Sequence, residues 1–286
     1  MNILVTGAAG QLGKTLAYVA QGSGNTYMYC DSDELDITDA QAVEAYVADN
    51  GIDVIVNCAS YTAVDKAEEE PETADLVNHK AVAEMARIAK EHDVVLIHVS
   101  TDYVFDGKTY KAYADDAPAA PLNVYGRTKA ASERAVAESG CRYIILRTSW
   151  LYGKEGNNFV KKIIEKSAEN PVLRVIDDQI GTPTFAEDLA GLIYTIIEDG
   201  MLDRTGIYNY SNEGVCSWYD FAHEICAQSG NLCDVLPCSS CEYSGKAERP
   251  HFSVLDKTKV KSTFGIEIPH WKDSLTICMN ELNGLE

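Results

Sequence analysis

The sequence predicts an α/β fold, built on a doubly wound parallel sheet with a smaller lobe interleaved at its C-terminal side. Short β-rich runs alternate with longer helical patterns through the first half of the chain, as parallel strands with helical crossovers do. The strand runs are apolar almost without interruption, which fits strands buried on both faces. After Arg147 the texture changes to glycine-rich loops, Pro171 and a Thr182-Pro183-Thr184 turn, with no sharp linker. The expected division is therefore 1–150 for the first domain and 151–286 mainly for the smaller lobe, with some later segments returning to the first.

The elements follow in order. Strands are expected at Asn2–Thr6, Thr26–Cys30, Asp53–Asn57, Val94–Val99 and Tyr143–Arg147, each a β-rich run. Between them, Gln11–Gln21, Asp39–Ala48, Pro71–Glu91 and Val124–Glu138 place apolar residues at intervals of three and four, the helical period. Two further helices are expected near Ser217–Ser229 and Pro269–Leu282. The chain has no internal repeat and no low-complexity tract.

Composition narrows the function. With 24 basic and 44 acidic residues among 286, the formal charge is −20. A broad nucleic-acid surface or an anionic membrane is excluded as a partner. Any anionic ligand must be held by a local device. No basic leader, cleavable apolar segment or bilayer-length apolar run is visible, so a cytoplasmic location is expected. Nine scattered cysteines, an odd number, fit reduced thiols better than a disulfide framework. Cys238-x-x-Cys241 has metal-ligand spacing and His251 follows, with Cys233 nearby, but a matching second pair is absent and no metal is predicted.

The first strand runs into Thr6-Gly7-Ala8-Ala9-Gly10-Gln11-Leu12-Gly13 and then a helix. Glycines at 7, 10 and 13 let the turn close, let the backbone approach a pyrophosphate and let the helix pack on the sheet. This is the Rossmann-type context for a dinucleotide. Asp31 follows the second strand, 18 residues past Gly13, where an acidic side chain meets the adenosine ribose. Between Lys14 and Lys66 the chain has no lysine or arginine to clamp a 2′-phosphate, so NADH is expected over NADPH. Asp36 and Ile37 are placed to reach the adenine. Asn57, Ala59 and Ser60, at the end of the third strand, are expected to contact the cofactor.

Asn123-Val-Tyr125-Gly-Arg-Thr-Lys129 puts a phenol and an ammonium on one face of a helix start. A lysine beside a tyrosine draws the phenol pKa down from about 10. Such a tyrosine can protonate a carbonyl oxygen as hydride reaches its carbon. The fourth strand delivers Ser100-Thr101-Asp102 at the sheet edge where ligands bind, and a hydroxyl there, Thr101 or Ser100, can orient the carbonyl.

With these residues the chain resembles the extended short-chain dehydrogenases/reductases, and within them the dTDP-4-dehydrorhamnose reductases. The resemblance runs through Gly7–Gly13, Leu35–Asp39, Asn57–Glu68, Ser100–Gly107, Asn123–Lys129, Arg147–Trp150, Asp178–Thr184 and Ala247–Pro250. It implies Thr101, Tyr125 and Lys129 as the catalytic set, with Lys129 also holding the nicotinamide ribose. It further implies a sugar pocket lined by Thr62, Val64, Asp102, Tyr103 and Trp150, with Gln179 and Arg249 toward the second lobe. Trp150 also has a plain core reading. The implied reaction is reduction of the C4 ketone of dTDP-4-dehydro-L-rhamnose. Members that dimerise through Mg2+ carry a glutamate two residues beyond the third glycine; Thr15 stands there, which speaks against that bridge although Glu187 could supply a ligand, and a homodimer stays open. Ser132-Glu133 replaces the family's usual Gly-Glu. The same fold also serves other nucleotide-sugar reductases and epimerases, and a non-catalytic relative, the β subunit of methionine adenosyltransferase.

Overall fold

The structure, a computed structural model, describes residues 1–242 and 245–284. From the N-terminus, β1 (Asn2–Thr6), α1 (Gln11–Val19), β2 (Thr26–Cys30), α2 (Ala40–Asp49) and β3 (Val54–Asn57) alternate as expected. Then α3 (Val64–Ala67) and α4 (Pro71–Asp75) lead through a π-helical turn at Leu76–Lys80 into α5 (Ala81–Glu91). β4 (Val95–Thr101), α6 (Val124–Glu138) and β5 (Arg142–Thr148) follow. The second half holds β6 (Leu151–Tyr152), α7 (Phe159–Glu169), β7 (Val172–Ile176), β8 (Ile180–Gly181), β9 (Thr184–Phe185) and α8 (Ala186–Glu198). It ends with β10 (Gly206–Asn209), β11 (Cys216–Ser217), α9 (Trp218–Ser229), β12 (Asp234–Cys238), α10 (Thr258–Phe264) and α11 (Trp271–Leu282).

Six strands form one parallel sheet in the order β10-β5-β4-β3-β1-β2. Alternate residues of each strand enter opposite cores, which explains why the runs are apolar throughout. Ile3, Val5, Val54, Val56, Ile97, Ile144 and Leu146 face one layer with Leu12 and Leu16 of α1 and Leu189, Ile193 and Ile197 of α8. Leu4, Ile55, Leu96 and Ile145 face the other, with Val43 and Val47 of α2, Met85 and Ile88 of α5 and Val136 of α6. A third core, including Tyr152, Ile163, Phe185, Phe221, Trp271 and Leu275, gathers β6, α7, β9, α9 and α11. The chain after 150 thus contributes both to this core and, through α8, β10 and α10, to the large sheet.

Several element ends shift by one or two residues from expectation, and two differences have a visible cause. The continuous helix over Pro71–Glu91 is broken by the π turn, which carries the fully buried Asn78 toward the sheet edge. α2 starts at Ala40 because Asp39 is its cap, its Oδ1 accepting from the Gln41 and Ala42 N–H groups at 3.1 and 3.0 Å.

α6 is tied to the sheet by a buried ion pair. Arg147 of β5 and Glu133 of α6 are both 4% exposed, and Arg147 Nη2 and Nε donate to Glu133 at 2.7 to 3.1 Å. Ser100 of β4 donates to Glu133 Oε1 at 2.5 Å. Arg147→Met is expected to cost about 3–5 kcal/mol, because it leaves a buried carboxylate without its cation. Urea unfolding measures the loss, and adding Glu133→Gln to Arg147→Met should restore part of it.

Candidate active site

The turn after β1 is a cradle that side chains would fill. Gly7 has φ +64°, and a Cβ on it would lie 2.6 Å from the Ala59 nitrogen. A Cβ on Gly13 would lie 2.5 Å from the Gly7 oxygen. Gly10, the first flanking residue of α1, brings no side-chain cap, so the helix's leading N–H groups face outward as an anion site. Leu12 is buried beneath the turn, while Gln11 Oε1 accepts from Asn158 Nδ2 at 2.9 Å, linking the turn to the second half of the chain. Backbone, glycines and helix end fit a pyrophosphate.

Asp31 stands at the end of β2, where its carbonyl accepts from the Glu34 and Leu35 N–H groups. The two expected adenine contacts are engaged locally. Asp36 Oδ1 accepts from Thr38 N and Oγ1 at 2.9 and 2.8 Å, which holds its carboxyl below the usual range, and Ile37 is buried in the second core. At the end of β3, Asn57 is 1% exposed, and Oδ1 accepts from Thr6 Oγ1 at 2.7 Å and Ala59 N at 3.1 Å. Its amide is thereby oriented, so Nδ2 donates to His98 Nδ1 at 3.1 Å. Ser60 Oγ donates to Asn78 Oδ1 at 2.9 Å.

Thr101 and Tyr125 meet across the sheet edge. Tyr125 lies in the first turn of α6, whose cap Asn123 accepts from Gly126 N at 2.8 Å. Val124 N donates to Glu68 Oε1 at 2.7 Å. Position 126 must be glycine, since a Cβ would overlap the Tyr103 carbonyl oxygen. That close approach sets the Tyr103 and Tyr125 rings edge to face, 5.8 Å between centroids. Burial pushes the Tyr125 phenol up to about 12; Asp102 adds to this, while the Thr101 and Ser60 hydroxyls pull it down.

Burial outweighs the expected lowering by Lys129. Lys129 is 1% exposed, and its ammonium donates to the Val99 carbonyl at 2.6 Å and meets His98 Nε2 at 3.2 Å. Burial brings Lys129 down to about 8, against the opposing pull of Glu133 and Cys58. His98 is fully buried, and desolvation together with Lys129 holds its pKa far below the usual value. Ser132, in place of glycine, supplies an Oγ 3.1 Å from His98 Nε2 and donates to the Lys129 carbonyl at 2.7 Å. Neither His98 nor Asn78 was singled out from sequence. A histidine inside an apolar strand and an asparagine inside an apolar helix face were the available signals.

The remaining pocket residues fall into two groups. Asp102 is 2% exposed, its Oδ2 has no hydrogen-bond partner, and burial pushes its carboxyl up to about 6. Arg249 donates to both oxygens of Asp65, at 3.2 and 2.6 Å, and acts on the Tyr103 phenol. Val64 opens α3 next to Asp65, and Thr62 is exposed before it. Trp150 holds φ +49°, unusual for a bulky residue, and stacks on Trp218 with centroids 3.6 Å apart. A Cβ on Gly181 would lie 2.8 Å from the Trp150 ring, and Gln179, two residues earlier, is 6% exposed.

Thr15 donates its hydroxyl to the Gln11 carbonyl at 2.8 Å. Burial and Glu281 push the Glu187 carboxyl up to about 7. Among the described residues no group of three or more His, Cys, Asp or Glu is placed to hold a metal, and Cys233, Cys238 and Cys241 are free thiols. No helix among the described residues is long and apolar enough to cross a membrane.

A phenol and a hydroxyl brought together on the ligand edge of a sheet with a glycine cradle define the class as extended short-chain dehydrogenase/reductase, an NAD(P)H-dependent oxidoreductase. Within that class, the RmlD substrate binding domain matches residues 1–283, and the chain belongs to this family. It is 40% identical over 284 residues to the dTDP-4-dehydrorhamnose reductase of Aggregatibacter actinomycetemcomitans, covering 96% of this chain and 97% of the relative. The crystal structure of a dTDP-4-dehydrorhamnose reductase from Clostridium acetobutylicum superposes with a TM-score of 0.95 at 37% identity, covering 99% and 100% of the two chains. That of Bacillus anthracis, in complex with NADP, superposes at 0.94 with 36% identity, covering 98% and 99%.

Asn78 links the two sides of this site, accepting from Ser60 Oγ and Tyr61 N and donating to the Tyr61 carbonyl and Thr128 Oγ1. Asn78→Ala strands these partners, and a loss of about 1–3 kcal/mol is expected for a buried group left unpaired. Thermal or urea unfolding reads it directly.

Proposed function

We propose that this chain reduces the C4 ketone of dTDP-4-dehydro-L-rhamnose to dTDP-L-rhamnose. The observation that carries the reading is the convergence of the Thr101 and Tyr125 hydroxyls at the sheet edge, in a chain similar over its full length to reductases named for that reaction. Residues 1–150 would hold the dinucleotide. Residues 151–286, with Trp150, Gln179 and Arg249, would complete the sugar side beside Thr62, Val64, Asp102 and Tyr103.

When bound, the nicotinamide supplies hydride to the carbonyl carbon. The glycine turn and the start of α1 hold the pyrophosphate, and Asp31 takes the adenosine ribose. Thr101 donates to the carbonyl oxygen and fixes it. Tyr125 gives that oxygen its proton. A phenol pushed up to about 12 by burial is protonated at neutral pH, as an acid must be when a reduction begins. Lys129 holds the ribose hydroxyls of the nicotinamide side, and its charge favours the phenolate once the proton has left.

Tyr125→Phe should lower turnover by about a hundredfold or more, the usual scale of general-acid catalysis, while NADH binding measured by fluorescence stays near normal. Near-normal turnover would remove Tyr125 from the mechanism. The substrate reading is tested by incubating the protein with dTDP-, UDP- and GDP-linked 4-ketosugars and NADH or NADPH, and following absorbance loss. Only the dTDP-linked sugar should turn over efficiently, with NADH preferred by about tenfold, roughly 1.4 kcal/mol. Equal efficiency with NADPH would refute the role given to Asp31.

A further inference from the structure

Thr101 has one proton and two lone pairs to place. The Tyr103 N–H takes one lone pair at 3.2 Å. Two other groups compete for the hydroxyl, namely Asp102 Oδ1 at 3.1 Å and the Tyr125 phenol. An ionised carboxylate can only accept. Were Asp102 ionised, the single proton of Thr101 would be committed to it, leaving only a lone pair for a substrate carbonyl, which needs a donor. A carboxylic acid reverses the contact. It donates to the second lone pair and frees the Thr101 proton to point into the site.

We propose that Asp102 is a positioning residue that works as a carboxylic acid, donating to Thr101 Oγ1 and so aiming the Thr101 proton at the substrate carbonyl. This rests on the role given to Thr101 above. The surroundings of Asp102 favour the neutral form. Its side chain is 2% exposed and Oδ2 has no hydrogen-bond partner, and an anionic oxygen left unpaired in that position is far costlier than a neutral one. The groups that face it are Tyr125 from α6, Tyr103 from its own turn, and Ser253 from the C-terminal segment. The nearby cation, Arg249, is directed at Asp65 and the Tyr103 phenol. The Ser253 and Thr101 hydroxyls and local N–H groups draw the carboxyl down, but burial outweighs them and pushes it up to about 6.

Two measurements test this. In protein labelled at the aspartate carboxyl carbons, with Asp102→Asn used to assign the resonance, the Asp102 signal should titrate near 6, about two units above the ordinary value of roughly 3.9. Titration below about 5 overturns the proposal. In turnover assays, Asp102→Asn keeps an N–H donor of the same shape and should retain at least about tenfold more activity than Asp102→Ala. An acid acts only below its pKa, so the wild-type kcat/KM should fall as pH rises through about 6, a limb absent from Asp102→Asn. An asparagine variant as impaired as the alanine variant also overturns the proposal. Thr101→Val separates the two readings. If it turns over normally, the role of Thr101 fails and the proposal with it; if it is impaired while Asp102→Asn matches Asp102→Ala, Thr101 keeps its role and the acid state of Asp102 is wrong.

Discussion

Everything at the sheet edge depends on where the carboxylate of Glu133 is held. It is buried at the junction of three elements, projecting from α6 and accepting from Ser100 of β4 and from Arg147 of β5. Arg147 in turn donates to the Asp115 carbonyl at 3.0 Å and lies over the Phe105 ring, and Asp115 accepts from Asn209 N of β10 at 2.6 Å. One carboxylate thereby fixes helix, two central strands and the edge strand. A buried pair of this kind contributes little net stability over an apolar substitute, because desolvation offsets the attraction. Its use here is registration. Glu133 is one turn beyond Lys129 and two beyond Tyr125, so the same anchor that holds α6 decides which backbone groups those side chains face.

The consequence is a pair of ionisable groups displaced in opposite directions by one cause. Burial raises the Tyr125 phenol and lowers the Lys129 ammonium, each toward its neutral form. Spacing alone suggested a lysine that lowers its tyrosine neighbour. Burial outweighs that effect here, and the ammonium is held by the Val99 carbonyl rather than by the phenol. His98 must itself be an acceptor at Nδ1, since Asn57 has only an N–H left to offer there. Asn57, expected to touch the cofactor, also orients the histidine beside the lysine.

The large sheet was legible because its signals are local. β1 and β2 occur on the residues expected, each a run of strand formers closed by a turn. The parts that were not legible lack such signals. α8 begins directly after a two-residue strand with Phe185 at its cap position and no side-chain cap, so nothing polar announces its start. β10 is four residues long and, among the described residues, pairs with β5 alone. In the site, Tyr125, Lys129 and Thr101 were found because each sits in a recognisable string. His98 and Asn78 take their meaning from partners 17 to 50 residues away, and no reading of spacing supplies those.

A chain with a formal charge of −20 that binds a dinucleotide must also overcome its own field. Its cations do not supply a diffuse positive surface at the site. Lys129 is buried against a carbonyl, Arg147 is neutralised by Glu133, and Arg249 is paired with Asp65. What would face an anion at the glycine turn is backbone: the N–H groups at the start of α1, within reach because Gly7, Gly10 and Gly13 have no side chains to hold a ligand off. Such dipoles act over the first helical turn and carry no net charge, so they can attract a diphosphate locally without altering the long-range repulsion that keeps other polyanions away. The acidic surface and the uncharged cradle are compatible for that reason.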